Sequence, residues 1–343
     1  MTVVVKLGST LVVGGKGRPR TAVLRERGRE IRDLVRGGQP VCVVSSGAIA
    51  LGLPRLGLER RPRRIAQLQA ASALGQARLQ AAWDAALAPL HTAQVLLTAG
   101  DIADRRTYVN ARGALNAILR LGAVPVVNEN DATATDEITF GDNDALAAQV
   151  AVLLRARLLV LLTEVAGVYS HTPGTPGAQL LGEGAEASGA VLGAPSPLGK
   201  GGMRSKVLAA ELAAAAGIPT VIAGGTGESV LEPILAGAPR GTRFTATART
   251  EPAFKLWLRF GKPTRGRIVV DEGARRALIE DGGSLLAVGV VACEGDFAAG
   301  DGVEIAGPDG ATFAKGIASV PAEELSGRPR GVEAVHRDRF VVL

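Results

Sequence analysis

PVCVVSSGAIALG (residues 40–52) carries an apolar strand into a Ser-Ser-Gly turn and then into the start of a helix. The strand part is continuously apolar rather than alternating, which is the signature of a strand buried on both faces. The same unit recurs along the chain. TVVVKLG (2–8) is a β-branched strand, followed by a helical stretch from Thr21 to Val35. Residues 65–88 read as helix, TAQVLLT (92–98) as strand and 107–121 as helix. AVPVVNEN (123–130) is a strand running into an acidic loop, and a helix is expected from Asn143 to Arg155. LLVLLTE (158–164), a helix from Met203 to Ala216 and PTVIAGG (219–225) complete the series. Such alternation predicts an α/β fold: a three-layer α/β/α sandwich with a mainly parallel sheet. Ligands of these sheets bind at the carboxyl ends of the strands. The polar residues fall there repeatedly: Lys6-Leu7-Gly8-Ser9, Ser45-Ser46-Gly47, Asn128 to Asp131, Thr163-Glu164 and Gly224-Gly225.

Around FGKPTRGRIV (260–269) the pattern changes to short strands separated by turn dipeptides. Residues 1–261 are therefore expected to form the α/β domain and 262–343 a small β-rich one. A chain of 343 residues suits two domains, since single cores rarely grow past roughly 250–300 residues. Hydrophobic residues make up 47% and charged ones 21%, which excludes wholesale disorder. The longest apolar run, AVLLRARLLVLL (151–162), is interrupted by Arg155 and Arg157, so no membrane span is expected. The apolar N-terminal run is too short for a signal peptide, and Cys42 and Cys293 sit in apolar contexts, which together predict a cytoplasmic protein. Three histidines without ligand spacing make a zinc site improbable.

Four stretches carry chemistry. Lys6 closes an apolar strand; it aims at the ligand edge or simply reaches for solvent. In LGKGGMRSK (198–206) three glycines precede a helix, so bare N–H groups and the helix dipole converge on one point, with Lys206 one turn further on. That stretch reads as an anion site or as a glycine hinge; the Walker spacing G-x-x-x-x-G-K-[ST] is absent from the chain. Ser46 and Gly47 stand where a hydroxyl and free amides can hold a carboxylate, or where Ser46 caps the helix. The acidic loop VVNENDATATDEITFGDNDAL (126–146) holds six carboxylates and three asparagines between Asn128 and Asp144, with no lysine or arginine. Turns and a cap at Asn143 need fewer, so a cation is expected nearby: lysines, Mg²⁺ or a ligand's ammonium. Together these read as a phosphoryl-transfer centre. Lysines and glycine amides would hold phosphates, Ser46 and Asn143 a carboxylate, and Asp131 an ammonium. No general base is evident. An acceptor carboxyl with a free pKa near ~4.3 needs none, being ionised at neutral pH. The residues alone thus point to a kinase acting on an anionic amino acid.

VVVKLGST, VVSSGAIALG, LLTAGDIADRRTYVNARGAL, PVVNENDATATDEITFGDNDALAA and GKGGMRSK stand in the order found in the glutamate 5-kinases of the amino acid kinase superfamily. The C-terminal part, GRIVVDEGARRALIEDGGSLL onward, resembles their PUA domain. The resemblance spans the whole chain and implies the amino acid kinase fold, ATP and Mg²⁺ as cofactors, and L-glutamate as acceptor. It implies that Lys6 and Lys206 stabilise the transferring phosphoryl group and that Asp144 holds them in position. Ser46, Gly47, Asn128, Asp131, Asp142 and Asn143 would bind glutamate. Lys6, Thr163, Glu164, Lys200, Gly201, Gly202, Met203, Arg204, Ser205 and Lys206 would bind the nucleotide, with Mg²⁺ carried on its phosphates. It also implies proline as feedback inhibitor and assembly into a dimer or tetramer.

Three departures lie on the nucleotide side: Glu164 in place of Asp, VYSHTPGTP (168–176) in place of the usual YTADP-like run, and Lys200 in place of Thr or Ser. Two alternatives stay open. A different carboxylate acceptor such as N-acetylglutamate would waste an acidic ammonium reader. An RNA role through the PUA-like region meets a charge obstacle: the chain's net charge of +6 divides into +9 for residues 1–261 and −3 for 262–343. The basic runs Arg25 to Arg36 and Arg60 to Arg64 read as solvated surface, so nucleic acid is not an expected partner.

Overall fold

A computed structural model spans the chain and describes residues 1–58, 60–133, 143–188, 202–247, 253–256, 258–259, 262 and 264–343. The chain divides into two compact units, Met1–Thr250 and Glu251–Leu343.

Seven strands form the sheet of the first unit: β1 (Val3–Leu7), β2 (Val41–Ser45), β3 (Thr92–Leu97), β4 (Val124–Glu129), β5 (Leu158–Thr163), β6 (Thr220–Gly224) and β7 (Thr242–Phe244). Their order is β3-β4-β2-β1-β5-β6-β7. All neighbours run parallel except β6 and β7, which are antiparallel. The three-residue β7 has no sequence pattern of its own and went unanticipated. It is held by position: Thr242 is buried, and its hydroxyl oxygen accepts from the Val168 N–H at 2.8 Å.

Strands β1, β2 and β4 are buried along their whole length, as the unbroken apolar runs require. Alternation along β1 separates two faces. Val3, Val5 and Leu7 join the cluster that includes Leu24 and Ile31 of helix Thr21–Arg36 and Leu79 and Trp83 of helix Ile65–Leu87. Lys6 alternates with them, and helix Asn143–Leu154 packs on β1 and on helix Met203–Ala215. Burying Trp83 requires a partner for its indole N–H, which Ser45 Oγ supplies at 2.9 Å.

The chain leaves β1 toward β2 on one side, and leaves β5 toward β6 on the other. Their outgoing loops diverge, which opens a crevice at the carboxyl ends of β1 and β5. Beside it, helix Ala48–Gly52 lies tight against helix Ile65–Leu87. A Cβ on Gly75 would stand 1.8 Å from the Ala48 carbonyl oxygen, and one on Gly52 1.8 Å from that of Ala71. Only hydrogen fits at either position, so this glycine pair sets the distance between the Ser46 turn and the second helix.

The second unit contains a five-stranded sheet in the order β10-β8-β11-β12-β14, made of β8 (Thr264–Val270), β10 (Val290–Glu294), β11 (Gly302–Ala306), β12 (Thr312–Ile317) and β14 (Phe340–Val342). The short β9 (Leu285–Leu286) and β13 (Glu333–Val335) pair separately. Ile268, Phe297, Val303, Ile305 and Phe340 form its core. Residues ahead of the strands belong to it as well: Arg259 Nη2 donates to the Val342 carbonyl at 2.7 Å, and the Lys255 ammonium lies over the Phe340 ring. Among the described residues, no helix is long and apolar enough to cross a membrane.

Candidate active site

Lys6 is part of β1 and 3% exposed, so it does not reach for solvent as a strand-end lysine would. Its ammonium lies 2.5 Å from Asp144 Oδ1. Lys206, from the first turn of helix Met203–Ala215, lies 3.1 Å from Asp144 Oδ2, and the Ser205 hydroxyl donates to the same oxygen at 2.7 Å. One buried carboxylate thus spans two buried ammoniums that come from positions 200 residues apart. Burial by itself would push the Asp144 carboxyl up. The charges of Lys6 and Lys206 and the hydrogen bonds from Lys6 and Ser205 overcome that and hold it well below the usual carboxylate range.

Asn143, the neighbour of Asp144 at the start of the same helix, turns the other way. Its Nδ2 donates to Ser46 Oγ and to Asn128 Oδ1, both at 2.9 Å, and its Oδ1 accepts from the Glu129 N–H at 3.2 Å. The Ser46 hydroxyl is therefore not a cap: Gly47 occupies the cap position with φ of 122° and no side-chain capping bond. A side chain on Gly47 would be strained there, and its Cβ would meet Val13 Cγ2 at 2.9 Å.

Ser46, Gly47, Asn128, Asp131 and Asn143 line one pocket of about 380 Å³ including its open mouth, together with Ser9 and Arg61. Asp131 is 5% exposed; its Oδ2 accepts from the Ser72 hydroxyl at 2.6 Å, and its Oδ1 has no hydrogen-bond partner among the described residues. The pocket and the lysine pair meet at consecutive residues, Asn143 and Asp144.

The amino acid kinase family model matches residues 1–224, and the PUA domain model matches residues 266–337. A glutamate 5-kinase of Acidovorax ebreus is 45% identical over 99% of this chain and 96% of its own length. Glutamate 5-kinases of Thermus thermophilus (45%, covering 94% and 88%) and Burkholderia cenocepacia (42%, covering 99% and 97%) are similar throughout. The chain belongs to the glutamate 5-kinases of the amino acid kinase family. Among solved structures, a UMP kinase from Bacillus anthracis is similar at 15% identity and a TM-score of 0.48, over 72% of this chain and 96% of the other.

Of the residues that the glutamate 5-kinase resemblance singles out, the structure brings Lys6, Lys206, Asp144 and Ser205 to one point, and Ser46, Gly47, Asn128, Asp131 and Asn143 to the adjoining pocket. Thr163 ends β5, and its carbonyl accepts from the Gly225 N–H at 2.7 Å. The neighbouring Glu164 pairs with Arg20 at 3.1 Å, and Arg20 also donates to the Thr10 carbonyl at 2.7 Å. Gly202 stands ahead of the helix begun by Met203; Arg204 is exposed on its first turn. Asp142, Lys200 and Gly201 lie outside the described residues, as does the stretch 134–142 of the acidic loop.

Sequence reasoning missed Ser72 and Arg61. Ser72 sits in an Ala/Gln-rich helix where one serine carries no signal. Arg61 sits in the RRPRR run read as solvated surface; Arg60, Arg63 and Arg64 are exposed there, but Arg61 is half-buried.

Burial raises the Asp131 carboxyl above its ordinary range, against the opposing effects of the Ser72 hydroxyl and the Arg61 charge. A carboxyl whose folded-state pKa is raised adds stability below its unfolded pKa of about 3.9, and loses it as pH rises through the folded value. At pH 7 the buried charge is therefore a net cost. Asp131→Asn is expected to raise the melting temperature at pH 7 by about 2–4 °C, with the gain closing below about pH 4. Melting curves from pH 3 to 8 check this, and a lower melting point at pH 7 would refute it.

Proposed function

We propose that this chain transfers the γ-phosphoryl group of Mg²⁺-bound ATP to the side-chain carboxylate of L-glutamate, giving L-glutamyl 5-phosphate and ADP, the first step of proline biosynthesis. The observation that carries the proposal is the adjacency of Asn143 and Asp144. One residue belongs to the acceptor pocket, and the next holds the two lysines, so acceptor oxygen and phosphoryl group would meet at the start of a single helix.

The acceptor carboxylate is ionised at neutral pH and attacks phosphorus without a base. What remains is positioning and neutralisation of charge on the transferring group. Lys6 and Lys206 supply that neutralisation, and Asp144, bonded to both ammoniums, keeps them aimed. Asn143, Ser46, Gly47, Asn128 and Asp142 bind glutamate, and Asp131 takes its ammonium. Thr163, Glu164 and the segment Lys200 to Lys206 bind the nucleotide. Magnesium arrives with the nucleotide; Asp144, at the junction, is already engaged by two lysines and a serine. In this reading the first unit is the catalytic domain and the second a PUA-like domain of a cytoplasmic homo-oligomer, dimer or tetramer, with proline as feedback inhibitor. An N-acetylated acceptor is disfavoured because Asp131 Oδ1, buried and without a hydrogen-bond partner among the described residues, suits a free ammonium.

ADP release should be measured with Mg²⁺-ATP and L-glutamate, N-acetyl-L-glutamate or no acceptor, with hydroxylamine trapping the acyl phosphate. Turnover and hydroxamate with L-glutamate alone is the expected result; turnover only with another acceptor, or none, overturns the assignment.

A further inference from the structure

Arg61 and Asp131 line the same pocket with opposite charges, yet they leave each other's key atoms unbonded. Arg61 Nη2 and Asp131 Oδ1 are both buried, and neither has a hydrogen-bond partner among the described residues. Each is near enough for its charge to act on the other's ionisation. A buried carboxylate oxygen and a buried guanidinium N–H without partners are each costly. Two such groups in one pocket, close but not joined, describe a gap between a cation and an anion. A ligand that fills it must carry a cation for Asp131 and an anion for Arg61. The head of an α-amino acid carries both, on one carbon.

The placement of Arg61 is specific within its run. Arg60, Arg63 and Arg64 are exposed, whereas Arg61 is turned inward immediately before Pro62, and helix Ile65–Leu87 begins three residues beyond the proline. That helix also supplies Ser72, which holds the other oxygen of Asp131. Both charged groups of the head are thus organised from one short stretch of chain, while Asn143 and the lysine pair stand toward the reacting end.

We infer that Arg61 binds the α-carboxylate of the amino acid acceptor while Asp131 binds its α-ammonium, so that the pocket selects a zwitterionic head. This rests on the glutamate reading above. It makes Arg61 a specificity-determining residue that touches substrate away from the reacting carboxylate. Its loss should therefore weaken binding of acceptor in ground and transition states alike.

The test compares L-glutamate with its α-amide, which keeps the ammonium and the side-chain carboxylate but carries no charge at the α-carboxyl. Wild type is expected to prefer L-glutamate by roughly 10–100-fold in kcat/KM, the range of a hydrogen bond between charged groups. Arg61→Gln should abolish that preference, raising the KM for L-glutamate by the same factor with kcat within about twofold, and should leave the α-amide almost unaffected. Arg61→Lys should restore part of the preference, since it keeps the charge but not the planar fork. Where the α-amide turns over too slowly, its Ki as a competitor of L-glutamate takes the place of kcat/KM. Equal losses on both acceptors in Arg61→Gln, or a preference that survives it, would overturn the role of Arg61 alone. A wild type inactive on L-glutamate would overturn the glutamate reading itself.

Discussion

Asp144→Asn is expected to lower kcat by about 10²–10³-fold in a protein that still folds, with the KM for the acceptor changed by less than about threefold. Asparagine has the same shape, and its side-chain oxygen can still accept from one of the three donors around Asp144. It carries no charge, however, and leaves Lys6 and Lys206 as two buried like charges facing one another. One of them must shed its proton or move, and either change removes positive charge from the place where, in the proposed reaction, phosphoryl charge would develop. A second readout separates this from simple damage. The Asp144 carboxyl lies below its ordinary range in the folded state, so its contribution to stability is fully present above the unfolded pKa of about 3.9. That contribution is lost as pH falls below this value toward the folded one. The Asp144→Asn variant should accordingly lose less stability than wild type on acidification below about pH 4. Steady-state kinetics and melting curves over pH check both parts. Full kcat in the folded variant would show that the lysines need no carboxylate between them.

Glu30→Ala is expected to destabilise the first unit by about 3–5 kcal/mol, lowering its melting temperature by roughly 10 °C. Glu30 and Arg27 both lie on helix Thr21–Arg36, nearly or wholly buried, with Arg27 Nε 2.9 Å from Glu30 Oε2. Burial pulls the Arg27 guanidinium down from its ordinary pKa, and Glu30 opposes that. The pair also ties down the chain that follows β6. Arg27 Nη2 donates to the Gly227 carbonyl at 2.6 Å, and Glu30 Oε1 accepts from the N–H groups of Val230 and Leu231. Removing Glu30 strands a buried guanidinium and two backbone donors at once. Replacing both partners, as in Arg27→Met with Glu30→Leu, should recover part of the loss because no lone charge then stays buried. Calorimetric unfolding of the single and the double variant decides the matter. A single variant within about 1 kcal/mol of wild type would mean that water reaches this pair after all.

Much of the first unit is legible in the order of residues because a doubly covered parallel strand has to be apolar at nearly every position. VVVKL, VCVVS and LLVLLT each form a strand of the sheet. Helices Thr21–Arg36, Ile65–Leu87, Arg105–Arg120, Asn143–Leu154 and Met203–Ala215 begin and end within two residues of where the pattern places them. The short helices Ser9–Val12 and Ala99–Ala103 carry no such pattern. The exceptions are instructive. Lys6 interrupts such a strand and is buried, which strand composition does not reveal; the carboxylate that makes its burial tolerable is 138 residues away. The reverse holds for RRPRR, where four arginines share one local character but only Arg61 turns into a pocket. Ser46 has the composition of a cap, yet it serves as acceptor for Asn143 because Gly47 takes the cap position with a backbone that favours glycine.

By itself the sequence determined the α/β architecture, the carboxyl-end location of the polar residues and the chemical kind of the site. These follow from local periodicity and residue type, which act over a few positions of chain. Tertiary structure alone decided which charges neutralise one another. Lys6, Asp144 and Lys206 pair into one buried unit, whereas Asp131 and Arg61 share a pocket without bonding. Electrostatic energy depends on distance and burial, and neither is a property of any short stretch of chain.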